Sequence, residues 1–196
     1  MKLTKLIIAV IFIQCCYHFS YGQEITIQEG SFKILFAEKN VALQFTYDSL
    51  QVGKYKVEAD YVNKKVTEMN KKQEGKGDEW AREWIAQRKE KFEPAFTDGF
   101  KGSSGLKISQ DAKYTLIFHT TYIEQGFSTS GIMVHKNPEV RGELILVETQ
   151  GEHKIIARAT LTKAMGKAGP HFETGDHVDE AYFEAGNAAG AFVINN

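Results

Sequence analysis

Apolar residues along this chain recur with two different periods, and the places where the period changes divide it into elements. Val41, Leu43, Phe45 and Tyr47 alternate with Ala42, Gln44 and Thr46, the period-two signature of a strand. The apolar-rich stretch 31–37 precedes it, so the two predict a β-hairpin across Glu38-Lys39-Asn40. Val57, Tyr61, Val62, Val66 and Met69 then recur at steps of one, three or four, with lysines and Glu68 between them, which predicts an amphipathic helix over 58–72. Gly75-Lys76-Gly77 separates it from a second helix opening at Asp78, an N-cap residue type, with Trp80, Trp84, Phe92, Phe96 and Phe100 on one stripe. Pro94 lacks an amide donor and crowds the carbonyl of Glu90, so a kink or break is expected there.

Three strands follow, over about 113–123, 139–149 and 153–162, the last two joined by a tight hairpin at Gln150-Gly151-Glu152. A final helix over 176–193 carries Val178, Ala181, Tyr182, Ala185, Ala189 and Val193 on one face, with Gly186 and Gly190 allowing close packing. The order ββααβββα places runs of strands beside runs of helices, which predicts an α+β domain spanning 23–196, with helices on one face of an antiparallel sheet. If the last three strands form a meander, the connections 124–138 and 163–175 leave from the same edge.

The first 22 residues read differently. Lys2 and Lys5 precede an apolar run of eight residues over 6–13, then Gln14 and a polar stretch ending with Ser20 and Gly22, small residues three and one positions before a cut that leaves Gln23 first. These are the three parts of a cleavable secretory signal peptide. A spanning helix needs about 20 apolar residues, and Gln14 and His18 interrupt the run too early. Gln14 stands where a lipobox would need a small residue before Cys15, which argues against lipid anchoring at Cys15 or Cys16.

Cleavage at this point leaves 174 residues and removes both cysteines, so neither a disulfide nor thiol catalysis is expected in a periplasmic or extracellular product. A chain of that length buries roughly 70% of its unfolded surface and folds without staples. Loss of Lys2 and Lys5 leaves 22 basic against 25 acidic residues, a net charge of about −3 with the signs mixed, which argues against a nucleic-acid partner. The densest charge, over 64–91, alternates in sign as on a solvated helix surface.

Candidate chemistry is sparse. The two long connections are where binding residues would sit on a rigid sheet, and they offer Phe127, Ser128, Ser130, Ile132, Met133 and His135 from the first, with His171, Phe172 and Glu173 from the second. His171, Glu173, Asp176 and His177 fall within seven residues and, with His119 or His135, supply nitrogen and oxygen ligands for zinc or another divalent ion. They do not follow an H-E-x-x-H spacing, and Asp176 also reads as a helix N-cap. The run 126–131 misses the G-x-S-x-G nucleophile elbow, because Ser130 stands where glycine is required. The run 99–105 likewise has Ser103 and Ser104 in place of the glycine and lysine of a phosphate loop. The aromatic stripe from Trp80 to Phe100 reads first as core, since five such side chains bury roughly 150–250 Å² each, and second as the floor of an apolar-ligand site.

Asp60-Tyr61-Val62, Gly75-Lys76-Gly77-Asp78-Glu79-Trp80 and Phe92-Glu93-Pro94, together with Glu173-Thr174-Gly175, Glu180-Ala181-Tyr182 and Ala185-Gly186, resemble an uncharacterised family of small exported bacterial proteins. The resemblance covers most of the chain after residue 22 and implies a Gram-negative envelope or secreted location. It brings no activity and no catalytic residues.

The expectation is therefore a non-enzymatic exported binding or assembly module of the bacterial envelope, with no cofactor, whose partner is a protein, a glycan or a small apolar ligand. The alternatives are a metal-dependent hydrolase built on His171, Glu173, Asp176 and His177, and a carrier of an apolar ligand. Intact-mass spectrometry of the exported protein should find a chain beginning at Gln23; a secreted chain still carrying Met1 would remove the leader reading.

Overall fold

The computed structural model describes residues 25–128, 135–166 and 177–196. The leader read over 1–22 lies outside them. Among these residues there are nine strands and four α-helices: β1 Ile25–Gly30, β2 Asn40–Thr46, β3 Gln51–Val52, α1 Glu58–Asn70, α2 Lys76–Gln87, α3 Glu93–Ser104, β4 Lys107–Ile108, β5 Tyr114–Glu124, β6 Phe127–Ser128, β7 His135–Lys136, β8 Glu139–Glu148, β9 Ile155–Met165 and α4 Val178–Val193. Seven strands make one sheet in the order β1-β9-β8-β5-β2-β4, with β3 also on β5, while β6 and β7 pair with each other.

The α+β class and the β5-β8-β9 meander match expectation, but the sheet is mixed, not antiparallel. β1, β9, β8 and β5 run antiparallel to one another in succession, whereas β2 lies parallel to β5 and to β4, and β3 lies parallel to β5. The reason is the helical excursion. A chain that leaves β2 and returns through three helices re-enters the sheet in the same direction, because parallel neighbours need a long crossover and antiparallel ones only a turn.

The hairpin across Glu38-Lys39-Asn40 is absent because its first strand is not formed. Residues Phe32–Ala37 form a 3-10 helix, capped by Ser31, whose hydroxyl accepts from Lys33 N at 3.2 Å. Phe32 and Leu35, three apart, are buried, while Ile34 and Phe36 point outward. That spacing of three was the signal of a helical turn.

α1 ends close to its expected limit. The next helix begins earlier than Asp78, at Lys76, with Gly75 before it at φ +79°. Its cap comes from the preceding helix: Asn70 Oδ1 accepts from Gly77 N at 2.7 Å, and Asn70 Nδ2 donates to Asp78 at 3.0 Å. Near Pro94 the segment divides into α2 and α3, as expected, but the chain stays helical between them. The turn Arg88–Phe92 widens into a π-helix in which the Glu93 amide bonds to the carbonyl of Arg88, and α3 continues with Pro94 in its first turn. The widened turn accommodates the carbonyl that a proline would otherwise crowd.

The β8–β9 connection is also wider than a tight Gln150-Gly151-Glu152 hairpin. Glu148 N donates to Lys154 O at 3.2 Å, and Gly151 and His153 both take positive φ.

One core joins the sheet to the helices. Leu116, Phe118, Leu144, Leu146, Ala157, Ala159 and Leu161 are almost entirely buried on the same face of β5, β8 and β9. Against them lie Phe96, 4.5 Å ring to ring from Phe118, and Tyr182, 6.1 Å from it. Trp84, Phe92, Phe96 and Phe100 are at most 2% exposed, so the aromatic stripe is core, with Trp80 stacked beside it. At roughly 1.5–3 kcal/mol for each fully buried large apolar side chain, this stripe is a main source of stability. α4 buries the face read from the sequence, and starts at Val178 with His177 as its cap residue.

A polar chain threads this core. Glu58 accepts from Trp84 Nε1 at 2.6 Å and from Arg88 at 2.5 and 2.6 Å. The Arg88 guanidinium lies 4.3 Å from the Tyr47 ring centroid. Tyr182 and Thr120, both fully buried, join hydroxyls at 3.0 Å and so tie α4 to β5. Burial pushes the Tyr182 phenol well above its ordinary range, as it does that of Tyr47, where the Glu93 carboxylate adds to the effect and Arg88 opposes it.

Two outcomes follow from these contacts. A Cβ on Gly186 would stand 2.0 Å from Phe96 O. Gly186→Ala should therefore cost about 2–3 kcal/mol, the upper end of overpacking, and lower the midpoint of a thermal scan by roughly 5–10 °C. Tyr47 and Tyr182 keep their protons in the fold past pH ~10, where an exposed phenol ionises. Their contribution to stability is thus complete below that pH and is lost as pH rises toward their folded values, at about 1.4 kcal/mol per pH unit per group. Absorbance at 295 nm should show both ionising only as the chain unfolds, and Tyr182→Phe should make the alkaline loss of stability less steep.

Candidate functional site

The sheet polarity gathers several chain ends at one edge. β5 ends at Glu124, β8 begins opposite it at Glu139, and β9 ends opposite Glu139 at Met165. Gly166 N donates to Pro138 O at 3.0 Å, so the two long connections leave side by side, as the meander predicted. β3 joins them by pairing with the last part of β5, beyond the reach of β2.

Here a cleft of about 340 Å³ opens between the turn after β3, the first turns of α1 and the segment after β5. Gly53 takes φ +54° and its amide donates to Ile123 O at 2.8 Å, which turns the chain so that Tyr55 faces the start of α1. Tyr61 lies 5.7 Å ring to ring from Tyr55 and the same distance from both Trp80 and Trp84. Its hydroxyl donates to Gln125 Oε1, which orients the carboxamide. Burial pushes the Tyr61 phenol up, the bond to Gln125 opposing the shift, so it acts as a neutral donor.

On the far side, Gly126 at φ +72° packs so closely that a Cβ would stand 2.6 Å from Lys136 O. That approach sets the β6–β7 pairing of Phe127 with Lys136 and of Ser128 with His135. Phe127 is 37% exposed at the rim. Lys136 Nζ contacts Glu124 at 2.6 Å, and Tyr122 donates to the same carboxylate oxygen at 3.2 Å. The bond to Glu124 raises the Lys136 ammonium above its usual value, while burial and Glu124 raise the Tyr122 phenol.

Lysines line the other margin. Lys54 Nζ lies 5.7 Å from the Tyr55 ring centroid and Lys65 Nζ 5.9 Å from that of Tyr61. Cation–π contacts of this exposed kind contribute only about 0.5–1 kcal/mol, so these ammonium groups remain available to an incoming anion. Lys64, whose ammonium is raised by hydrogen bonding to Tyr55 and Glu68, stands beside them.

Of the residues proposed from the sequence, Phe127 is in this cleft, and Ser128 and His135 are paired beside it. Ser130, Ile132 and Met133 lie outside the described residues, as do His171, Phe172, Glu173 and Asp176. His177 caps α4, its Nδ1 3.2 Å from Glu180 Oε1. His119 points to the sheet face away from the helices, its Nδ1 2.8 Å from Thr46 Oγ1. Among the described residues, no three His, Cys, Asp or Glu side chains come together as a metal site, and no helix is long and apolar enough to cross a membrane.

The lysines and tyrosines of 54–65 were missed because Tyr61 reads equally well as one more position on the apolar stripe of α1. The available signal was Gly53 followed by Lys54-Tyr55-Lys56, an aromatic residue flanked by cations directly after a turn residue.

The fold and cleft define a class, a mixed sheet covered by helices on one face with a small aromatic and cationic cleft at its loop end. Comparison with protein-family models, with curated proteins and with solved structures gives no match to the chain.

Proposed function

We propose that this chain is an exported binding or assembly module of the bacterial cell envelope that engages its ligand at the loop end of the sheet and performs no chemistry on it. The observation that carries this reading is the cleft itself. Half-buried and exposed aromatic surface from Tyr55 and Phe127 lies beside the ammonium groups of Lys54, Lys65 and Lys136, on backbone pinned by two turns. Concave sites with a few convergent polar groups on an apolar lining are where small ligands bind. Among the described residues its lining carboxylate is Glu124, held by Lys136 and Tyr122 as a positioned ion pair. The leader-like 1–22 supports an envelope location.

Photo-crosslinking from position 54 in cells that export the protein tests the reading, with exposed position 155, at the opposite end of strand β9, as control. Adducts should form from the first position alone, and Tyr55→Ala with Phe127→Ala should reduce them about ten-fold while the thermal midpoint falls by less than about 5 °C, as befits partly exposed side chains. Adducts that survive the double substitution, or a catalytic turnover abolished by Glu124→Gln, would sink it.

A further inference from the structure

We infer, on the reading that the loop-end cleft is the binding site, that its ligand is an anionic saccharide, a sugar ring bearing a carboxylate or a phosphate. Size is the first constraint. About 340 Å³ lies at the small end of ligand pockets and accepts one or two sugar rings, not a helix or a lipid chain of full length.

Charge is the second. Among the described residues, Lys54, Lys65 and Lys136 line the cleft against the carboxylate of Glu124, an excess of two positive charges, with Lys64 adjoining. Burial of Glu124 against Lys136 and Tyr122 fixes that one negative charge at the β5 side, so an incoming anion meets the lysines of the β3–α1 side. The cations are few and local, and the chain as a whole is acidic, which does not suit a polyanion such as nucleic acid.

The third constraint is the mixture of surfaces. A bare inorganic anion would leave the Tyr55 and Phe127 rings unused, and a purely apolar molecule would strand the lysines. A sugar ring presents C–H groups to aromatic faces and hydroxyls to polar groups at once. Gln125 lines the cleft and its Oε1 accepts from Tyr61, which leaves the amide Nε2 as its donor, a group suited to a ring hydroxyl.

The test is a titration of the exported chain, followed by ¹H–¹⁵N correlation spectra, with trigalacturonate, glucose 6-phosphate, neutral maltotriose and inorganic phosphate as separate arms. Trigalacturonate or glucose 6-phosphate should shift the amides of Gly53, Lys54, Tyr55, Gln125 and Phe127, and whichever does so names the anion. Lys54→Gln with Lys65→Gln should weaken that binding about five- to ten-fold, as should raising salt from 50 to 300 mM, since exposed charges are screened. Maltotriose binding as strongly as trigalacturonate, or inorganic phosphate as strongly as glucose 6-phosphate, would overturn the inference while leaving the cleft as the site. Silence in all four arms would overturn it as well. Crosslinking that still depends on Tyr55 and Phe127 would then preserve the binding reading, and crosslinking indifferent to them would remove both.

Discussion

The structure rests on the direct backbone contact between α3 and α4. At Gly99 a Cβ would meet Phe183 O at 2.2 Å, at Gly186 it would meet Phe96 O at 2.0 Å, and at Gly190 it would meet Phe100 O at 2.6 Å. Three glycines on two facing helices let the axes approach until side chains no longer separate them. The cost of glycine in a helix, about 1 kcal/mol each relative to alanine, is offset by what the approach permits. The helices form one thin layer, so that Phe96 from one and Tyr182 from the other both reach the Phe118 ring of the central strand β5.

That layer also determines where the remaining chain must go. Because three helices intervene between β2 and β5, the two strands lie parallel, and the segment after β2 continues along β5 to its C-terminal end as β3. α1 starts there, held by Glu58 N donating to Leu50 O at 2.9 Å and by the Glu58 carboxylate on Arg88. The cleft is thus a by-product of packing. Tyr61 stands in it because the same ring packs on Trp84, itself 2% exposed in the core.

The core and the cleft use the same residue types for different ends. Tyr182 is enclosed and Tyr47 half-buried, with an arginine and a glutamate as neighbours, and they hold the helices to the sheet. Tyr55 keeps part of its ring accessible among lysines whose ammonium groups stay in water, where charge is screened and exchangeable.

What the sequence by itself determined is whatever depends on neighbours along the chain. The periods of α1, α4 and the strands β5, β8 and β9 were legible because each buries one face, and burial imposes its own repeat on the residues. The meander, and with it the pairing of the two long connections at one edge, followed from strands joined in succession. Tertiary structure alone decided the direction of β2, and it settled the turn at 32–37, where an apolar run of seven residues also fits a strand despite the three-residue spacing of Phe32 and Leu35. It alone decided that Lys54 and Tyr55 stand opposite Gln125 and Lys136, some seventy to eighty positions away. Such a meeting depends on which strand β3 chooses as its partner, and that choice is made by the summed packing of the helical layer, to which no local repeat testifies.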